Sequence, residues 1–118
     1  MKTVILDTSF ILHAFQYRID IISGLKKLLD FNFTVAVIDK TIQELKGKKL
    51  GSLAASYITT NNITIINTPK DKNVDNLILD NLNPDTIVAT QDMKLKEKLK
   101  KRKSGLITIR QKRYLAVV

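Results

Sequence analysis

The apolar positions of the chain fall into five short segments that predict β-strands, at residues 3–6, 34–38, 63–66, 86–90 and 106–109. These segments are rich in Val, Ile and Thr, which favour an extended backbone. The first two, TVIL and TVAVI, are apolar without alternation. Such runs are typical of strands that are buried on both faces of a parallel sheet.

Helical spacing of apolar residues predicts helices between these strands, at residues 19–29, 41–46, 50–59, 75–82 and 93–103. In the first of them, Ile21, Leu25 and Leu28 recur on one side of the helix. Strands and helices alternate without repeats or linkers. The 118 residues therefore predict one α/β domain, residues 1–118, with a parallel sheet.

The charge of the chain changes this picture because it is unevenly distributed. The formal net charge is +9, yet residues 1–92 are neutral overall, and residues 93–118 contain ten basic residues and only Glu97. A localised basic face favours an anionic partner, most simply nucleic acid. The alternative is a solvated helix face that keeps the protein soluble. The candidate phosphate contacts are Lys94, Lys98 and Lys101 on one helix face, and Arg110, Lys112 and Arg113 near the end of the chain.

Composition also excludes several classes of protein. The chain has no cysteine, which excludes disulfides and thiolate metal sites. No apolar run approaches the ~20 residues of a membrane span. We therefore expect a cytoplasmic protein without a membrane partner.

Two aspartates lie where strands of the predicted sheet end. Asp7 directly follows the first strand, and Asp92 follows the fourth. Ligands of open α/β sheets bind outside the carboxyl ends of the strands, where the strand order reverses. If the second and fourth strands flank the first, both carboxylates face one crevice.

Two further acids join them in the predicted arrangement. Asp75 begins a helix, where a capping role is the simplest interpretation, and Glu44 lies about one turn into another helix, where a solvated surface position is the simplest. Helix capping alone nonetheless does not account for four acids that all lie at strand ends or in first helical turns. Clustered carboxylates repel one another and favour a hard divalent cation with oxygen ligands. Without cysteine and with His13 as the sole histidine, Mg²⁺ or Mn²⁺ is favoured over zinc.

An acidic metal site beside a basic face suits phosphodiester hydrolysis, because the metal activates water and the basic residues hold the phosphate backbone. The ordered motifs, which are LDTSF, IQEL with Glu44, D-x-x-I at Asp75 and ATQD with Asp92, resemble those of PIN-domain ribonucleases. DTSFILHAFQYRID and IRQKRYLAVV more specifically resemble archaeal PIN proteins related to the eukaryotic endonuclease that cleaves pre-ribosomal RNA in the small-subunit processome.

The resemblance implies a three-layer α/β/α sandwich with a five-stranded parallel sheet of order 3-2-1-4-5. It implies an endonuclease that cleaves single-stranded RNA, including pre-rRNA, with Mg²⁺ or Mn²⁺. The family's acidic site maps onto Asp7, Glu44, Asp75 and Asp92, with Asp7, Asp75 and Asp92 as metal ligands. The hydroxyl positions of its motifs map onto Thr8, Ser9 and Thr90.

Three positions depart from the family pattern. Asn76 and Lys94 stand where close relatives often carry further acids, and Ser9 stands where many carry Asn. The four acids imply one metal position and leave open a second metal and the catalytic rate. The hydroxyls of Thr8 and Ser9 either cap the next helix or orient a carboxylate. His13 is better interpreted as a packed helical residue than as a general base.

Several functions remain open from the sequence. Besides an endoribonuclease acting in rRNA maturation, the chain fits an RNA-binding or ribosome-assembly factor with weak or no cleavage, or a ribonuclease toxin of a toxin–antitoxin pair. A homodimer and a ribosome-assembly partner are both compatible with it. A phospho-receiver is excluded, because Asn67 and Thr68 follow the third strand where that class needs an aspartate.

Overall fold

A computed structural model describes residues 1–118 and contains six strands and six helices. The strands are β1 (Lys2–Leu6), β2 (Phe33–Ile38), β3 (Thr64–Ile66), β4 (Thr86–Ala89), β5 (Gly105–Arg110) and β6 (Tyr114–Val117). The helices are α1 (Thr8–Gln16), α2 (Ile21–Leu28), α3 (Asp39–Leu45), α4 (Gly51–Thr60), α5 (Val74–Asp80) and α6 (Met93–Lys101). No helix combines the length and the apolar character that crossing a membrane requires.

The strands form one sheet of order β3-β2-β1-β4-β5-β6. All neighbouring pairs from β3 to β5 are parallel, which confirms the predicted strand order. The sheet has a sixth strand that the sequence did not predict, because β6 pairs with β5 in the antiparallel direction, with Arg110 opposite Tyr114. The four residues of β6, YLAV, are all apolar, but only Leu115 is buried, so this edge strand lacks the two buried faces of the central strands.

Helices cover both faces of the sheet, as alternation along β1 illustrates. Val4 and Leu6 pack with residues of α1 to α4, whereas Ile5 packs with residues of α5 and α6. Successive side chains of a strand point to opposite faces, so a strand between two helical layers must be apolar throughout. This arrangement is the predicted three-layer sandwich, and it makes the ends of β1 and β4 the accessible parts of the sheet centre.

The N-terminal end of α5 differs from the expectation, and that of α3 is bound to a neighbouring segment. Helix α5 is capped by Asn73, whose side chain accepts a hydrogen bond from Asn76 N, so Asp75 is free of the capping role. Asp39 is the first residue of α3. Its carboxylate accepts hydrogen bonds from the Thr68 hydroxyl at 2.6 Å and the Thr68 N–H at 3.2 Å. Asp39 therefore ties α3 to the segment that follows β3.

Candidate functional site

Asp7 lies at the centre of the sheet's C-terminal edge. It follows β1, whose last residue Leu6 is paired with Ala89 of β4, and its N–H donates to the Ala89 carbonyl at 2.9 Å. The side chain is only 4% exposed, so a carboxylate is buried at the end of the strand. Thr90 and Asp92, which follow β4, lie at the same crevice, as the strand order requires.

Two hydroxyl groups hold the Asp7 carboxylate. Thr90 Oγ1 donates to Asp7 Oδ2 at 2.7 Å, and Ser9 Oγ donates to the same oxygen at 3.0 Å. The two hydroxyls are themselves oriented by backbone donors, since Asp92 N–H donates to Thr90 Oγ1 and Gln91 N–H donates to Ser9 Oγ. Ser9 therefore orients a carboxylate and makes no helix-capping bond.

The hydroxyl of Thr8 orients a second carboxylate, that of Glu44. This hydroxyl donates to Glu44 Oε1 at 2.5 Å, which links the first residue of α1 to the end of α3. Glu44 is half-buried, so it is not the solvated surface residue that its helical position alone would indicate.

Asp75 is the second residue of α5 and is also half-buried. Its pKa lies above the usual value because burial disfavours the charged form and because Asp7, Asp92 and Glu44 repel it, while Lys98 acts in the opposite direction. The pKa of Asp7 is raised as well, chiefly by burial, against the stabilising bonds from Thr90 and Ser9. The four acids therefore share one electrostatic environment.

Asp92 combines this location with a structural role. It is the N-cap of α6, and its Oδ1 accepts hydrogen bonds from the N–H groups of Lys94 at 2.9 Å and Leu95 at 3.1 Å. Both bonds use the same oxygen. The helix thus fixes the carboxylate's orientation without occupying the second oxygen.

The donor chemistry of this cluster fits a hard divalent cation, since every candidate ligand is a carboxylate or hydroxyl oxygen. No three Asp, Glu or His side chains of the structure are arranged closely enough to hold a metal ion together. The cluster is therefore a set of neighbouring, mutually repelling carboxylates and not a finished ligand triad. Their repulsion is what a bound cation would relieve.

The six basic residues singled out in the sequence are all exposed. Leu95 and Leu99 of α6 are buried, and Lys94, Lys98 and Lys101 of that helix face solvent. Lys98 is close enough to Asp75 to lower the pKa of that carboxyl group, so the basic helix borders the acidic cluster. The second basic group lies at the turn between β5 and β6, and consists of Arg110, Lys112 and Arg113.

One side chain near the cluster, that of Gln91, has a structural role that the sequence did not predict. Gln91 Oε1 accepts hydrogen bonds from Ile109 N–H at 2.7 Å and Thr108 Oγ1 at 2.6 Å. Thr108 Oγ1 in turn accepts a bond from Lys96 Nζ at 2.8 Å. Gln91 therefore anchors the segment between Thr90 and Asp92 to β5. Its place in ATQD was the only available signal, and its partner lies 18 residues away.

His13 belongs to helix packing, as expected. Its ring stacks on Tyr17 one turn later, with centroids 5.7 Å apart. Its buried Nδ1 has no hydrogen-bond partner. Nothing in these contacts connects it to the carboxylates.

The fold and the acidic crevice together define a class of protein. The chain matches the family described as "PIN like domain" over residues 4–112. The protein belongs to this family, and the resemblance to PIN-domain ribonucleases indicated by the motifs is confirmed.

Two individual proteins show how far the similarity extends. The chain is 25% identical over 128 residues to Ribonuclease VapC4 of Methanocaldococcus jannaschii, covering 99% of this chain and 97% of that protein. Its fold superimposes on the PIN domain endonuclease Utp24 with a TM-score of 0.86 at 24% identity, covering 98% of this chain and 90% of the other. This likeness confirms the three-layer architecture.

Proposed function

We propose that this protein is a divalent-metal-dependent endoribonuclease that hydrolyses single-stranded RNA. The observation that carries the proposal is the buried Asp7 carboxylate, held by Ser9 and Thr90 beside Asp75, whose pKa is raised by burial and by its acidic neighbours. A structural protein has no need for such a cluster. Membership of the PIN-like family and the similarity to Ribonuclease VapC4 support the nuclease assignment.

The metal in this proposal is Mg²⁺ or Mn²⁺, held by Asp7, Asp75 and Asp92. Bound there, the metal would supply an activated water and would stabilise the negative charge that develops on the phosphate. Since no three carboxylates form a finished triad, we expect water to complete the coordination, as is common for Mg²⁺. Glu44, fixed by Thr8, is the fourth acid of the site.

The chain's own side chains prepare the site for this chemistry. Hydrogen bonds to Asp7 Oδ2 favour its ionised form against the cost of burial and fix its orientation. The cap bonds of Asp92 fix the orientation of that carboxylate on the other side of the crevice. Carboxylates positioned before the substrate arrives need no reorganisation during reaction.

The basic residues complete the proposal by holding the substrate. Exposed cations on α6 and at the β5–β6 turn neutralise phosphates that the acidic cluster would otherwise repel. Lys98 is placed between the two features, since its charge acts on Asp75. We propose the same six residues as the RNA contacts, with a ribosomal RNA precursor as the substrate.

A binding protein without cleavage is the second candidate. It is favoured by Asn76 and Lys94, which replace acids of the family pattern, and by the lack of a finished ligand triad. A homodimer or a ribosome-assembly partner fits either candidate. A ribonuclease toxin of a toxin–antitoxin pair fits only the candidate that cleaves RNA, and a neighbouring antitoxin gene would favour it.

Cleavage of a labelled single-stranded RNA distinguishes these candidates. We expect the parent protein to cut with Mn²⁺ or Mg²⁺ and to be inactive in EDTA. Asp75→Asn should lose more than about a hundredfold in rate, since even outer-shell groups of metal sites contribute about 10- to 100-fold. Asp30→Asn, which removes an exposed carboxylate elsewhere, is the matched control. Metal-independent cutting, or binding without any cutting, would contradict the proposal.

A further inference from the structure

A basic groove of about 470 Å³ lies between the α1–α2 junction, α2 and β6. Its lining contains none of the four acids of the candidate site, so it is a separate feature. Its floor is formed where α2 approaches β6 closely, since a Cβ on Gly24 would lie 2.9 Å from Leu115 Cδ1. The groove is of a size that holds a small ligand or one segment of a chain.

Three exposed cations, Arg18, Lys27 and Arg113, line this groove. The two salt bridges of the structure join Lys2 to Asp85 and Lys72 to Asp80, so none of the groove cations is engaged by a carboxylate. Three positive charges around one concavity create a site for an anion with several charges.

The one acid in the groove lining, Asp20, is already bound within the protein. Its Oδ1 accepts hydrogen bonds from Tyr57 OH at 2.7 Å and from Ser23 N–H at 3.2 Å. These bonds lower the pKa of Asp20, which shows that they stabilise its charged form. The carboxylate is therefore committed to the start of α2 and does not reach across to the cations.

Aromatic rings accompany the cations. Tyr114 lines the groove and is 47% exposed, which leaves its ring available for stacking. Tyr17 also lines it, and Lys112 Nζ lies 5.8 Å from the centre of that ring. This contact holds a fourth cation at the edge of the groove. Cations that bind phosphates beside an aromatic ring are the pattern by which proteins hold unpaired nucleotides.

We propose that this groove binds a nucleotide segment of the single-stranded RNA substrate outside the cleavage site, with phosphates on Arg18, Lys27 and Arg113 and a base on Tyr114. The inference rests on the proposed ribonuclease function for the identity of the ligand. It adds a second binding region, reached through the basic β5–β6 turn that Lys112 and Arg113 belong to. The substrate is then held at two places, and longer RNAs bind more tightly than short ones.

The test measures binding in EDTA, so that cleavage does not enter. Affinity of a fluorescent 16-nucleotide oligouridylate is compared for the parent, Lys27→Glu/Arg113→Glu and Lys48→Glu/Lys49→Glu. The two double variants change the net charge equally, and the second pair lies exposed outside the groove. We expect the affinity of the groove variant for the oligouridylate to fall at least about tenfold. The slope of log affinity against log salt concentration should become smaller by about 1.4, the value for two single-strand phosphate contacts. Equal losses in both variants, or no loss, would overturn the proposal.

Arg18 offers a variant that keeps the fold. Its backbone has a φ of +58°, a conformation that glycine adopts without strain. We expect Arg18→Gly to lose affinity for the oligouridylate without a lower melting temperature. Unchanged affinity in this variant would count against the groove, and an acidic peptide that binds there with no effect on RNA would overturn the assignment.

Crosslinking identifies the base contact directly. Irradiation of the complex with a 4-thiouridine-substituted oligomer should yield an adduct at Tyr114, and Tyr114→Thr should remove it. Adducts confined to the acidic crevice would contradict the second region. If the parent binds through the groove but fails to cut RNA with Mn²⁺, the ribonuclease proposal fails while the groove proposal survives.

Discussion

Thr90 Oγ1 donates a 2.7 Å hydrogen bond to Asp7 Oδ2, so the residue after β4 fixes the carboxylate after β1. The contact spans 83 residues of sequence and crosses the centre of the sheet. The same hydroxyl accepts the N–H of Asp92. One threonine hydroxyl therefore joins the carboxylate of Asp7 to the backbone of Asp92.

Removing this hydroxyl should reduce activity more than it disturbs the fold. For Thr90→Val we expect cleavage to fall about 10- to 100-fold, the usual effect of losing a group that orients a metal ligand. The buried carboxylate also loses a donor, at about 1–3 kcal/mol of unfolding free energy. Thr90→Ser keeps the hydroxyl and should retain most of the activity. Equal rates for the Val and Ser variants would show that the hydrogen bond has no role.

Asp75→Asn should stabilise the protein at neutral pH. The pKa of Asp75 is raised above its usual value of 3.8, so its ionised form costs stability, and this cost develops as the pH rises through the folded-state pKa. We expect the melting temperature at pH 7 to rise on the order of 1–3 °C and the gain to vanish below about pH 3.8.

Asp20→Asn is the opposite case and the control. Hydrogen bonds lower the pKa of Asp20, so its charge contributes stability above its unfolded-state pKa, and this stability is lost as the pH falls through the folded-state pKa. Its replacement should lower the melting temperature at pH 7. A loss of stability for Asp75→Asn would show that the carboxylate is not under repulsion.

A bound metal ion should restore the stability that repulsion among the clustered carboxylates costs the folded protein. Mn²⁺ at about 100 times its dissociation constant stabilises a folded protein by about 2.7 kcal/mol when it binds only that state. We expect thermal unfolding of the parent to shift upwards with Mn²⁺ and that of Asp75→Asn to shift much less. A similar shift in both proteins would place the metal elsewhere.

Two substitutions separate the roles of Asp92. Asn still caps a helix, so Asp92→Asn should abolish cleavage with little effect on melting temperature. Asp92→Ala should abolish cleavage and also cost about 1 kcal/mol of unfolding free energy, because the bonds to Lys94 and Leu95 are lost. Full activity in the Asn variant would make Asp92 a cap and nothing more.

The basic face of α6 should contribute affinity rather than chemistry. Replacing Lys94, Lys98 and Lys101 with Ala should weaken RNA binding and reduce its salt slope by about 0.7 for each lost phosphate contact. The binding is measured as a salt titration in EDTA. An unchanged slope would exclude this face as the RNA contact.

The central sheet was predictable from the sequence because its signal is local. Strands buried on both faces must be apolar throughout, so TVAVI and its counterparts are visible without tertiary information. The edge strand β6 was missed although YLAV is apolar, because a run of four residues does not reveal its antiparallel pairing with β5. The hydrogen bond from Thr68 to Asp39 was likewise not predictable, because the two residues lie 29 positions apart.

The site was predictable in position but not in detail. The end of a strand and the strand order together place Asp7 near Asp92, and both can be inferred from pattern. Which hydroxyl binds which carboxylate depends on side-chain orientation, and so Thr8 and Ser9 were left undecided. The groove beside Tyr114 could not be predicted from the sequence, because it forms between α2 and β6, the strand that was not predicted.

The most direct test of the central claim is a crystal structure determined with Mn²⁺ and its anomalous scattering. We predict an anomalous peak within bonding distance of Asp7, Asp75 and Asp92 carboxylate oxygens or of waters that bridge to them, and no such peak in Asp75→Asn. A parent structure in which these carboxylates remain without metal at millimolar Mn²⁺ would contradict the account.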